Sequence, residues 1–114
     1  MPIIKHKKIS LDERRKSSKT LLSKHPLRVP LIISSSQSEL QLEQNEFLVP
    51  KMFRVFQFTA KLRKMLILPP DHILYIYVNQ KLISPDRFIY DVYELEREED
   101  GFLYINLRVV PGLG

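Results

Sequence analysis

The spacing of apolar and polar positions changes period several times along these 114 residues, and each change marks an element. Across 11–24 only Leu11, Leu21 and Leu22 are large and apolar. Ser10-Leu11-Asp12-Glu13 reads as a capping box: the Ser10 hydroxyl accepts from the amide three residues on, and Glu13 reaches back. This predicts a helix over about 11–24, stopped at His25-Pro26 because the residue before proline avoids the α region. So thin an apolar stripe puts the helix on the surface of something else.

Leu27–Ile33 and Glu46–Pro50 are rich in branched and aromatic residues and read as strands, joined as an antiparallel hairpin across a polar loop that includes Ser34–Ser38. Pro30 has no amide hydrogen, so one side of it stays out of a continuous ladder. Val29, Leu31 and Ile33 alternate toward a core, which leaves Pro30 and Ile32 on the other face, in need of cover from the N-terminal helix or a ligand. Val55, Phe58, Leu62, Met65 and Leu66 recur at helical spacing and predict a helix over 54–66, ended by Leu68-Pro69-Pro70. Leu74–Val78 is a strand, and Asn79-Gln80-Lys81 turns it. Residues 86–95 are ambiguous between irregular chain and one short helical turn. Glu96–Gly101 is an acidic turn, and 102–108 is the last strand. The order helix, ββ, helix, β, short helix, β is the β-grasp plan, an α+β fold with an N-terminal helical extension.

The length allows one domain. With no cysteine there is no thiol nucleophile, disulfide or thiolate metal site. His6, His25 and His72 lack metal-ligand spacing, Ser34–Ser36 lack a nucleophile-elbow context, and the three glycines, Gly101, Gly112 and Gly114, form no phosphate loop. No metal or cofactor is expected. The run Glu96–Asp100 reads as a solvated turn rather than a cation site. Tyr75, Tyr77 and Tyr104 read as sheet residues rather than a base-stacking platform. No apolar run approaches a membrane span, and the N-terminus lacks the apolar segment of a secretory signal, so the expected address is cytosol or nucleus. Charge is uneven. Residues 1–28 carry nine basic and two acidic residues, a net +7, whereas 29–114 carry nine and eleven, a net −2. The basic block suits an anionic surface or a solvated helix.

The last residues, Val109-Val110-Pro111-Gly112-Leu113-Gly114, follow directly on a strand. Arg28-Val29-Pro30, Phe47-Leu48-Val49-Pro50, Leu68-Pro69-Pro70, Val78-Asn79 and Glu98-Glu99-Asp100-Gly101-Phe102-Leu103-Tyr104 stand in collinear order. In these motifs the chain resembles the autophagic ubiquitin-like modifiers, the family of GABARAP and the microtubule-associated protein light chains. The resemblance covers about residues 10–108. It implies a ubiquitin-like β-grasp with two N-terminal helices: a basic extension over 1–26, a core over 27–108 and a flexible conjugation tail over 109–114. It implies no catalysis by the chain itself. Gly114 would be joined to phosphatidylethanolamine by activating and conjugating enzymes, with a processing and deconjugating cysteine protease as a further partner, and the protein would act as a monomer in the cytoplasm and on the autophagosomal membrane.

The resemblance further implies binding of cargo receptors through aromatic-x-x-aliphatic motifs, added as a strand to the Glu46–Val49 edge. It assigns Leu21, Pro30, Ile32, Leu48 and Phe102 to a first pocket, and Phe47, Val49, Pro50, Phe53 and Phe58 to a second. Val49 and Phe58 also read as core, the reading favoured for those two; Ile32, Leu48 and Phe102 are favoured as pocket. Family edges carry lysines where this chain has Gln44 and Glu46. Lys61 replaces an aliphatic residue of the second pocket, Met65 replaces a basic residue, and Arg28 alone clearly remains of the usual basic set. Acidic-flanked motifs are therefore expected to bind more weakly. The alternative is a non-conjugated β-grasp module that uses its basic N-terminal region on tubulin, acidic membrane or nucleic acid; no specific nucleic acid is expected on the favoured reading.

Overall fold

The computed structural model describes residues 6–35, 37, 42 and 44–112. Among them the order is α1 (Leu11–Lys24), β1 (Arg28–Ser35), β2 (Glu46–Pro50), α2 (Val55–Leu66), β3 (His72–Val78), β4 (Lys81–Leu82), α3 (Ile89–Glu96) and β5 (Leu103–Pro111). The strands make one mixed sheet in the order β2-β1-β5-β3-β4. β1 runs antiparallel to β2 and parallel to β5, and β3 runs antiparallel to both β5 and β4. This is the expected α+β grasp topology. The first of the two expected N-terminal helices lies largely outside the described residues, although His6 and Lys7 have helical backbone.

Strand alternation sorts the sheet into two unequal faces. On one, Val29, Leu31 and Ile33 of β1 join the inward residues of β5 and β3 beneath α2, which contributes Val55, Phe58 and Leu62, and α3, which contributes Ile89, Val92 and Tyr93. On the other, Ile32, Phe102 and Tyr104 form a small second cluster under Leu21 of α1. The polar helix thus closes only part of its face, in keeping with its few apolar residues.

Charge and hydrogen bonding hold α1 down where apolar contact is thin. The Ser10 hydroxyl accepts the Glu13 amide at 3.2 Å, the first half of the capping box. Arg14 donates to the Asp100 carboxylate at 2.8 Å, and Ser18 donates to the Asp100 carbonyl at 2.6 Å. Lys7 pairs with Glu98, and Arg15 lies 3.6 Å from Glu99. The 96–101 segment is therefore not a solvated turn. Asp100 is 1% exposed and forms the seat of the helix, because its partners arrive from the opposite end of the chain. Gly101 is required beside it: its φ is +88°, and a Cβ there would lie 2.3 Å from the Ser18 hydroxyl.

Four local expectations are corrected. β1 continues through Ser34 and Ser35, paired with Asn106 and Leu107 of β5, instead of ending at Ile33. The chain after Val78 is not only a turn: Asn79 and Gln80 take φ of 50° and 65° and lead into the two-residue strand β4. Residues 89–96 form a helix of eight residues, anchored at its start where the Ile89 amide donates to the Phe53 carbonyl at 2.7 Å. The last strand runs to Pro111, so 109–111 is not free tail. Val109 is buried, Val110 and Pro111 pair with Ile73 and His72, and the Gly112 amide donates to the Asp71 carbonyl at 2.6 Å. Beyond the end of β1, the Gln37 carboxamide takes over as partner, donating to the Val109 carbonyl at 2.8 Å and accepting the Val109 amide at 2.6 Å. Alternation turns Pro111 to that same side, where no strand follows, so its missing N–H breaks no ladder bond.

Candidate docking edge

β2 is a border strand, and its register fixes which of its backbone groups are free. The Ile33 amide donates to Asn45 and the Lys51 amide to Leu27, each at 2.9 Å. With the observed pairing, Asn45, Phe47, Val49 and Lys51 therefore turn their backbone groups toward β1, and Glu46, Leu48 and Pro50 turn theirs outward. Since proline has no N–H, the outward donors of β2 are those of Glu46 and Leu48. The outward Glu46 carbonyl accepts the Gln44 side-chain amide at 2.9 Å. An added strand would displace that side chain.

Beside this edge lies a groove of about 380 Å³, lined by Leu21 from α1, Arg28 and Pro30 from β1, Gln44, Glu46 and Leu48 from β2 and its approach, and Phe102. The fold brings these together because Arg28, Pro30 and Ile32 share a face with Pro50, Leu48 and Glu46. Of the five residues assigned to the first pocket, Leu21, Pro30, Leu48 and Phe102 line the groove. Ile32 is not among the lining residues and lies beside Tyr104 in the second cluster; Phe102 belongs to that cluster too and, at 1% exposed, forms only the closed base of the groove.

The residues assigned to a second pocket separate. Val49 and Phe58 are 3% and 2% exposed and belong to the core, with Phe47 edge-on to Phe58 at 5.7 Å. Phe53 is half-buried, with the Lys61 ammonium 4.9 Å above its ring. Register puts Pro50 opposite Arg28, on the face of Leu48 rather than that of Phe47.

His6 was not singled out for this region by sequence. Its ring packs edge-on against Phe102 at 4.8 Å and Tyr104 at 5.8 Å, and its Nδ1 lies 3.7 Å from the Glu46 carboxylate. Burial, opposed by Glu46 and Asp100, holds the imidazole below the usual histidine range. The Tyr104 phenol is pushed well up, first by burial and then by its hydrogen bond to Asp100. No sequence motif ties His6 to this edge, since the chain folds back over some forty residues to reach it. Gly114 lies outside the described residues.

Among the described residues no helix is long and apolar enough to cross a membrane. Residues 13–110 match the family model for the Atg8 ubiquitin-like autophagy protein. Autophagy-related protein 8h of Arabidopsis thaliana is 37% identical over 98 residues, covering 84% of this chain and 82% of that one. Autophagy-related protein 8 of the yeast Vanderwaltozyma polyspora is 30% identical over 96 residues, covering 82% and 81%. The crystal structure of Trypanosoma brucei ATG8 superposes with a TM-score of 0.87 at 29% identity, over 96% of this chain and 97% of that one. Plasmodium falciparum Atg8, solved in complex with a peptide of P. falciparum Atg3, gives a TM-score of 0.81 at 28% identity, over 95% and 96%.

Proposed function

The chain belongs to the Atg8 family of ubiquitin-like autophagy proteins, and from that premise we propose that it is joined through Gly114 to phosphatidylethanolamine and receives partner peptides along β2. In the first role the chain supplies a carboxylate and a recognised surface. An activating enzyme adenylates the Gly114 carboxylate, its cysteine thiolate displaces AMP to give a thioester, the conjugating enzyme's thiolate displaces the first thiolate, and the lipid amine displaces the second to form an amide. The two acyl chains of the product then hold the modifier stably at an autophagosomal membrane, which a single chain would do only marginally.

In the second role an aromatic-x-x-aliphatic segment of a cargo receptor, or of the conjugating enzyme, adds a strand beside β2. The observation that carries this reading is the outward Leu48 backbone next to a groove with Leu21, Pro30 and Leu48 among its lining residues. Backbone pairing supplies affinity and the groove supplies choice of side chain. Several basic residues near the N-terminus, Lys7, Arg14 and Arg15, are engaged by Glu98, Asp100 and Glu99, which disfavours a free anion-binding arm there.

Leu48→Asp tests the docking role. The variant places a carboxylate in the apolar floor, where an unpaired charge must be desolvated as the peptide arrives. Calorimetric titration with a neutral-flanked aromatic-x-x-aliphatic peptide should show binding weakened at least about tenfold, the equivalent of about 1.4 kcal/mol. Leu48 is only half-buried, so the thermal midpoint should move little. Unchanged affinity would place the docking site elsewhere.

A further inference from the structure

The groove beside β2 is charged oppositely at its two ends. Register sets Glu46 beside Ile32 and Arg28 beside Pro50, with Pro30 and Leu48 between them on the same face. Glu46 to Pro50 spans about 13 Å at about 3.3 Å per residue. Both charged side chains line the groove, and both residues are exposed. Among the described residues Arg28 makes no ion pair, and the one basic group recorded against Glu46 is His6. Burial keeps that imidazole below the usual histidine range although Glu46 and Asp100 pull the other way, with Arg14 and Lys7 reinforcing the neutral form. Among the described residues, a neutral His6 therefore leaves the Glu46 carboxylate without a cationic partner.

We infer that this groove selects peptide strands carrying a cation where they pass Glu46 and an anion where they pass Arg28, and disfavours strands that are acidic at the Glu46 end. The inference rests on the docking reading above and adds the class of partner. For a strand laid parallel to β2, the flank upstream of the aromatic residue meets Glu46 and the flank downstream of the aliphatic residue meets Arg28. The partner is thus a segment whose charge runs from basic to acidic across its apolar anchors. Rim charges in water act weakly, so each is expected to change affinity about two- to fivefold and to act on the association rate more than on dissociation.

The test uses three peptides with one aromatic-x-x-aliphatic core and Lys, Gln or Glu immediately upstream. Dissociation constants are measured against the wild-type chain, Glu46→Gln and Glu46→Lys, at low and high salt. The expected order on wild type is Lys tightest and Glu weakest. The order should collapse in Glu46→Gln, reverse in Glu46→Lys and fade in about 0.5 M salt, where the screening length is only a few ångströms. Glu46 is exposed, so neither variant threatens the fold. Backbone shifts of the Gln-flanked complex separate the two levels. Failure of that peptide to bind at β2 overturns the docking reading and the inference with it. Binding there with no charge order, or with the order intact in Glu46→Gln, overturns the inference alone.

Discussion

Gly114→Ala is expected to abolish the phospholipid adduct. With purified activating and conjugating enzymes, ATP and phosphatidylethanolamine vesicles, the wild-type chain should gain the mass of the lipid and the variant should not. The methyl group sits on the atom next to the carbonyl that is attacked three times, twice by a thiolate and once by an amine, and glycine is the one residue that presents that carbonyl without a Cβ. A misplacement of about 1 Å at a reacting centre costs on the order of a hundredfold, so a trace of product at long times is the most the variant should give. The fold should be unaffected, since the last described β-ladder contact is made by Gly112, two residues earlier. Gly112→Ala is the informative contrast. A Cβ there would fall 2.2 Å from the Asp71 carbonyl, so it should loosen the end of β5 whatever happens to conjugation. Equal yields from wild type and Gly114→Ala would remove the conjugation reading.

Asp100→Ala is expected to release α1 from the sheet. The carboxylate accepts the Phe102 amide at 2.9 Å, the Arg14 guanidinium at 2.8 Å and the Tyr104 hydroxyl, while being 1% exposed. Alanine leaves the Phe102 amide and the Tyr104 hydroxyl, both buried, and the partly exposed Arg14 guanidinium without that acceptor. Leaving two buried donors unsatisfied costs about 1–3 kcal/mol each, which in a domain of this size lowers the thermal midpoint by roughly 10 °C. The loss should reach the groove, because Leu21 and Phe102 both stand on this network. Denaturant unfolding and the peptide titration should therefore fall together. A change below about 1 kcal/mol would show that the pair is screened by water and that α1 is held by other contacts.

What could be read from the sequence was whatever a local signal encodes. Ser10, Glu13 and Pro26 bracket α1, the spacing of Val55, Phe58 and Leu62 gives α2, and the alternation of Val29, Leu31 and Ile33 against Pro30 and Ile32 assigns the two faces of β1. What was missed depends on partners far along the chain. Asp100 looked like one more acid in a polar run until Arg14 and Ser18, more than eighty residues earlier, closed over it. Pro111 and Gly112 looked like the end of order, yet a single glutamine side chain stands in for a missing strand and carries β5 onward. β4 has two residues, too few for any periodic pattern, and α3 takes its first turn from the loop that carries Phe53. At the docking edge the residue types were legible, but the division between groove and core was not. Ile32 and Leu48 are both branched or bulky apolar residues on one face, and the first is sealed in the cluster that Leu21 of α1 covers while the second stays half-exposed.

The most direct measurement is amide hydrogen exchange, residue by residue, along β2 with and without a saturating neutral-flanked peptide. Phe47 and Val49 already bond to β1 and should be protected in both states, whereas the outward Leu48 amide should exchange freely in the unbound chain and slow at least about tenfold on binding. A peptide that saturates the protein while the Leu48 amide stays as fast as before would contradict strand addition at this edge.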